Sequence, residues 1–435
     1  MKSSINKIFI ACEVLIILAL LVGAARFLHV SRTYAIKPSQ NEAQPLSQED
    51  TFKTFTAEQL RGTVIAFAEG QPQSKNPIVM TKTTAPVTHY ELPNSDEIRA
   101  VYMTSWVGST IQKRTQLVNM VDKSPVINAI IIDLKDETGV ISVPVPKDSP
   151  LYPYANENKQ VRIQDIKSFV DTLHQKGIYV IGRIAVFQDN IYTQKIPESA
   201  IQNSITKKPW KDRKNVSWID PGYKPTWDYV LNIAKLGKSY GFDEINFDYV
   251  RYPTETSSAY TLVYPSTGED TKKDVIEAFF KHLNKGLKEE KITSSVDIFG
   301  LLTTEDDIGI GQNLAIALDN FDYVAPMIYP SHYTSGSVGI KDPEKHPFET
   351  ITKVMQDAYN KSELTKHEFR KIRPWIQDFS LKEKYGVKEV VDQLRAVSLH
   401  GTKGFMVWSP NNVYTEKAYT AFGDDLVKKE EKVQQ

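Results

Sequence analysis

Asp248 stands near the end of a run that reads Asp243-Glu244-Ile245-Asn246-Phe247-Asp248-Tyr249-Val250-Arg251-Tyr252-Pro253. Its alternation is that of a strand, with Ile245 and Phe247 on one face and Asn246 and Asp248 on the other. A strand covered on both faces is expected to be nearly all apolar. An unpaired buried polar group costs roughly 1–3 kcal/mol, so a polar pair here points to chemistry. The chemistry that suits it is glycoside hydrolysis, in which two carboxyls work at separations of roughly 5–5.5 or 6.5–9.5 Å. Asp248 is the first candidate. The competing reading makes it one half of a buried salt bridge with Lys135 or Arg183.

Two residues are candidates for the second carboxyl. Asp378 ends the run Trp375-Ile376-Gln377-Asp378, although alternation places Trp375 and Gln377 on one face and Asp378 on the other. Glu305 opens Glu305-Asp306-Asp307, which reads equally well as charge favouring the start of a following helix. Other polar residues at the ends of apolar runs, Asp133, Lys135, Arg183, Asn246 and Arg251, are candidates to bind substrate. So are the aromatic residues Trp106, Trp375, Trp408 and Tyr329, with Tyr249 and Tyr333 beside them. Sugar rings pack their apolar faces on such side chains and pair their hydroxyls with Asp, Asn and Lys.

These residues must be positioned by a regular scaffold. Eight apolar runs recur: 99–106, 128–135, 178–187, 244–251, 295–302, 323–329, 372–379 and 404–409. Helical segments precede several of them, at 163–176, 224–240, 272–289 and 387–399. Gly177, Gly241 and Gly401 follow helices, as glycines that end helices do. The pattern predicts an α/β fold, a (β/α)8 TIM barrel over residues 97–423, whose site lies at the C-terminal ends of the strands. A doubly wound sheet is the alternative, but no glycine-rich turn follows the first run. Long connections at 188–223, 252–271 and 330–348 would form the rim of a cleft.

Composition narrows the function classes. The 435 residues carry 53 basic and 53 acidic side chains, which gives no pull toward nucleic acid. The one cysteine is Cys12, so the body has neither disulfides nor zinc–thiolate sites. The eight histidines are scattered, with only His332 at a strand end, and no metal is expected. No G-x-S-x-G elbow or phosphate-binding loop is present, and no cofactor is expected. An apolar run from Ile8 to Ala25 makes residues 1–29 a signal peptide or a transmembrane anchor. Residues 30–96 then read as a polar linker or stalk, and 424–435 as a charged tail. The body is expected outside the cytoplasmic membrane, anchored or secreted.

Four stretches carry a family resemblance: Ile132-Asp133-Leu134-Lys135-Asp136, Asn246 to Pro253, Ala325-Pro326-Met327-Ile328-Tyr329-Pro330-Ser331-His332-Tyr333, and Arg373-Pro374-Trp375-Ile376-Gln377-Asp378. Together they resemble the DUF4015-type glycosyl hydrolase barrels. At a distance they are also similar to chitinase-like family 18 barrels, whose fourth strand carries D-x-x-D-x-D-x-E. Asp243 and Asp248 match the first and last aspartates of that motif, and Met327-Ile328-Tyr329 and Trp408 match its partners on later strands. Asn246 replaces the middle aspartate, and Val250 stands where the acid glutamate belongs. The resemblance implies a glycoside hydrolase of no set substrate that uses an acid other than the chitinase one; for an exported body, the expected substrate is a cell-surface or cell-wall polysaccharide. A carbohydrate-binding barrel without turnover is the alternative.

Overall fold

The computed structural model describes residues 92–433 except 156–160, 255–258 and 403. The expected membrane segment and nearly all of the expected stalk lie outside the described residues. Among the described residues, no helix is long and apolar enough to cross a membrane.

Eight parallel strands close into a barrel in sequential order. They are β1 (Ile98–Met103), β2 (Ala129–Lys135), β3 (Tyr179–Ala185), β4 (Glu244–Asp248), β5 (Thr293–Phe299), β6 (Tyr323–Met327), β7 (Trp375–Gln377) and β8 (Gly404–Trp408). The main helix after each is, in order, α1 (Ile111–Lys123), α2 (Ile166–His174), α3 (Pro225–Ser239), α4 (Lys272–Glu289), α5 (Leu314–Asn320), α6 (Pro347–Thr365), α7 (Val387–Ser398) and α8 (Glu416–Val433). The expected strands and helices are present, with ends shifted by a few residues. The segment expected as a charged tail from residue 424 is instead the second half of α8. Gly177, Gly241 and Gly401 all have positive φ, the conformation that lets the chain leave a helix and enter a strand.

Local sequence explains these elements. In α4, Thr271 caps the first turn by accepting from the Asp274 amide. Val275, Ile276, Phe279, Phe280, Leu283 and Leu287 then recur at helical spacing and are buried against the barrel. Each such phenylalanine contributes roughly 1.5–3 kcal/mol by leaving water. The seam that closes the barrel depends on Gly404. A Cβ there would lie 1.8 Å from the carbonyl oxygen of Ile98, and its φ is +96°.

The barrel interior is filled from alternate strand positions. Ile98, Ala100, Ala129, Ile181, Ala325 and Met406 supply an apolar plug. Toward the strand starts, Arg373 meets Glu244 at 2.9 Å, both fully buried, and its guanidinium lies 3.9 Å from the Tyr323 ring centroid. Toward the strand ends the interior is polar again, and there the long loops gather. A two-stranded antiparallel ribbon, Gln202–Asn203 with Leu262–Val263, ties the loop after β3 to the loop after β4. Strands of two residues have no period to read, so the sequence showed only loops there.

The floor pair sets a stability expectation. Arg373→Met leaves the Glu244 carboxylate buried beside no cation and is expected to cost about 3–5 kcal/mol. Adding Glu244→Met should recover part of that loss, read from urea unfolding midpoints. A double variant that loses the sum of both single costs would show that the pair does not act as a unit.

Candidate active site

The site is built on one guanidinium. Arg183 points inward from β3, between β2 and β4. Its Nη1 donates to Oδ1 of Asp133 at 2.7 Å. Its Nη2 and Nε donate to Oδ2 of Asp248 at 2.5 and 3.2 Å. The planar fork suits this task, because its donors are fixed relative to one another. Aromatic rings surround it, with the centroids of Tyr102, Trp408 and Tyr249 at 5.4, 5.7 and 5.9 Å. Tyr102 also donates its hydroxyl to Oδ2 of Asp133 at 2.6 Å. Burial outweighs these bonds and raises the Asp133 pKa to about 6.

β4 ends at Asp248 because Tyr249 takes a left-handed backbone, φ +54°. A bulky residue there stores roughly 1–3 kcal/mol of strain. The Tyr249 amide donates to Oδ1 of Asp248 at 2.6 Å, and the ring packs edge-on to Trp218 at 6.0 Å. The bend leaves Asp248, Tyr249 and Arg251 all on the wall of one cavity of about 410 Å³.

The second carboxyl of that cavity is Asp297 on β5. Asn246 and Ser295 are register partners, as are Phe247 and Val296. Asp248 and Asp297 each follow the last of these pairs by one residue, and both line the cavity. Oδ1 of Asp297 accepts from the Asn246 amide and from the Trp375 indole, each at 2.8 Å. Oδ2 lies outside these bonds. Burial, and then the neighbouring Asp248, hold the Asp297 pKa well above the usual carboxylate range. Asp297 thus favours its protonated form more than an ordinary carboxyl does, and it stands near an aspartate that is bonded to arginine. Sequence reasoning passed over it. The signal was present: Ser295 and Asp297 repeat on β5 the inward polar pair that Asn246 and Asp248 make on β4.

The cavity gathers most of the other expected residues. Arg183, Arg251, Tyr329, Trp375 and Trp408 line it. Trp408 stacks on Tyr102 at 4.4 Å and meets Trp375 edge-on at 5.8 Å. Asp133 sits behind Arg183, and Asn246 lies beneath Asp297, one step back from the wall. Asp248 does form the expected buried ion pair, with Arg183 rather than Lys135.

Four expected residues lie elsewhere. The β2 register shifts between Asp133 and Lys135, so Lys135 pairs with Ile184 and leaves the inward face. Its ammonium bonds the Ala185 and Gln188 carbonyls and meets Asp189 at 3.1 Å. Asp378 obeys strand parity and turns away from Asp248. It accepts from the Thr415 amide and hydroxyl and from Tyr419, fixing the start of α8. Glu305 has an exposed side chain in the loop after β5, outside the cavity. It does not enter α5 either, whose cap is Asn313. Trp106 is 65% exposed on the short turn 105–109, with the Arg162 guanidinium 4.1 Å from its centroid. The chitinase position Val250 is fully buried, and Asp243 serves the strand starts by accepting from His174 and the Val180 amide. Among the described residues, no cluster of His, Cys, Asp or Glu is arranged to hold a metal.

Comparison with known proteins adds to this geometry. The model of the DUF4015 family, described as "Putative glycosyl hydrolase domain", matches residues 100–414. A hypothetical protein from Ruminiclostridium thermocellum ATCC 27405 is 27% identical over 45% of this chain and 96% of its own, with a TM-score of 0.38. The PgaB (BpsB) glycoside hydrolase domain from Bordetella bronchiseptica is 13% identical over 75% of this chain and 98% of its own, with a TM-score of 0.51. That second likeness is one of fold. No curated protein matches the chain.

The raised Asp133 pKa has a consequence for stability. Between the ordinary value of 3.8 and about 6 the folded state binds the proton more tightly than the unfolded chain. The stability tied to that proton is complete below about pH 4 and is lost as pH rises through about 6. Asp133→Asn should therefore flatten the fall in urea midpoint between pH 4.5 and 7. An unchanged slope would mean that Asp133 is ionised throughout that range.

Proposed function

Because the chain belongs to the DUF4015 family of glycosyl hydrolase domains, we propose that it cleaves glycosidic bonds of a cell-surface or cell-wall polysaccharide, using Asp297 as general acid and Asp248 as the second carboxylate. The observation that carries this reading is that neighbouring strands bring the two to the wall of one cavity, one held well above the usual carboxylate range by burial and the other bonded to Arg183. An environment that raises one carboxyl of a close pair suits that carboxyl to the role of acid.

Oδ2 of Asp297 hands its proton to the glycosidic oxygen as the C–O bond to the leaving sugar breaks. The anomeric carbon develops positive charge, which Asp248 meets from the neighbouring strand. Adjacent strands lie roughly 4.8 Å apart, which favours the close pair of a retaining enzyme, roughly 5–5.5 Å, over the wider inverting one. Asp248 then bonds the anomeric carbon. The Asp297 carboxylate takes a proton from water, whose oxygen displaces Asp248 and restores both groups. Trp408, Tyr329 and Tyr249 offer aromatic faces to the sugar rings. The apolar run from Ile8 to Ala25 supports an extracytoplasmic site of action, anchored or secreted.

The test is release of reducing ends from a panel of cell-wall and surface polysaccharides. Asp248→Asn and Asp297→Asn should each lower turnover by about 10²–10⁴-fold. In the wild type, kcat/KM should fall as pH rises, because Asp297 must hold its proton, and the apparent pKa should exceed that of an ordinary carboxyl. The Asp297→Asn variant should lose that alkaline limb. Full turnover in either variant would remove that residue from the mechanism. Glycan binding by the wild type with no release of reducing ends would favour the carbohydrate-binding alternative.

A further inference from the structure

The cavity does not end at the two carboxyls. His332 and Tyr333, on the loop between β6 and α6, line its wall and also line a second hollow of about 330 Å³. Tyr333 is buried, whereas His332 is exposed and forms the ridge between the two spaces. Neither the ridge nor the hollow takes part in bond cleavage.

Both are held in place. The Phe379 ring, on the loop after β7, stands edge-on to His332 at 6.1 Å and to Tyr329 at 5.8 Å, and Tyr329 meets His332 at 5.2 Å. Gln377 is fully buried and locks the two loops together. Its side chain donates to the Phe379 carbonyl at 2.8 Å and accepts from the Ser331 amide at 3.1 Å. The Ser331 hydroxyl bonds Nδ1 of His332 at 3.0 Å, and among the described residues Nε2 has no partner. Across the hollow, Oε1 of Glu344 accepts from the Lys382 and Glu383 amides at 3.0 and 3.1 Å, and Lys345 meets Glu383 at 3.6 Å.

The charged lining of the hollow is balanced, with Lys341, Lys345 and Lys382 against Asp342, Glu344 and Glu383. Such a surface offers donors and acceptors to hydroxyls without drawing in an ion of either sign. A planar ring braced at its edges suits the apolar face of a sugar, and its open nitrogen suits one hydroxyl. We infer that the hollow is an outer subsite, in which further uncharged, hydroxyl-rich sugars of the glycan chain bind after crossing His332. The inference rests on the hydrolase reading for the presence of a glycan in the cavity; a preference for long chains is separable from turnover.

Affinity electrophoresis of the full chain tests it, in gels holding hydroxyethylcellulose, arabinoxylan, galactomannan, pullulan or glycol chitin. Calorimetry then compares the disaccharide and the hexasaccharide of the polymer that retards the chain, with reducing-end release measured in parallel. The wild type should bind the hexasaccharide at least about tenfold more tightly than the disaccharide. His332→Ala and Phe379→Leu should each shrink that ratio to about threefold or less, at unchanged urea midpoint for the exposed His332. Lys281→Ala, on the outer helix α4, should leave the ratio intact. Salt at about 0.5 M should also leave it intact, because screening acts on ions and not on hydroxyls. A ratio that survives both substitutions overturns the inference, as do a ratio that collapses in salt and a lack of retardation by every polymer. If the preference holds while no polymer is cut, the hydrolase reading fails and this one stands. If polymers are cut without the preference, this one fails alone.

Discussion

The site depends on the guanidinium of Arg183 reaching two carboxylates on the strands to either side. One side chain on β3 thereby fixes Asp133 on β2 and Asp248 on β4. An ammonium in the same place would present a point charge without fixed directions. Because Asp248 is held there, Asp297 on the next strand has a negative neighbour within a buried site. Burial, and then that neighbour, raise the Asp297 pKa well above the usual carboxylate range. The proposed division of labour between the two carboxyls follows from one arginine and one step around the barrel.

The polar groups inside the barrel are tolerated because they are matched level by level. At the floor, Glu244 and Arg373 satisfy each other beneath the apolar plug. At the mouth, Asp133, Arg183 and Asp248 form a second matched set. A buried charge is costly chiefly when its partner is missing. Asn246 carries the remaining tension. Its nitrogen serves Ser295 and Asp297, while its carbonyl oxygen is buried without a partner. The strained backbone of Tyr249 lies just above, so two unfavourable features flank the same carboxylate. Such costs tend to gather where a fold holds chemistry in place.

The comparisons and the geometry address different questions. The family match covers the barrel and places the chain among glycosyl hydrolase domains. It does not say which residues act. The second carboxyl comes from strand register, since Asp297 and Asp248 each follow the last β4–β5 pair by one residue.

Much of this was legible in the residues alone. Alternation over 244–248 marked Asn246 and Asp248 as inward before any neighbour was known, because strand periodicity is a local property. The eight runs, the helices between them and the glycines that end helices fixed the barrel for the same reason. Three assignments needed the third dimension. Lys135 followed the inward alternation in sequence, but a register shift in β2 turned it out. Asp378 and Asp297 each sit near a strand end, and only packing shows that the first caps α8 while the second faces the cavity. Sequence determines which face of its own strand a residue occupies. Which residue of another strand stands opposite, and at what depth, is decided by register and loop closure, and these depend on the whole barrel closing at once.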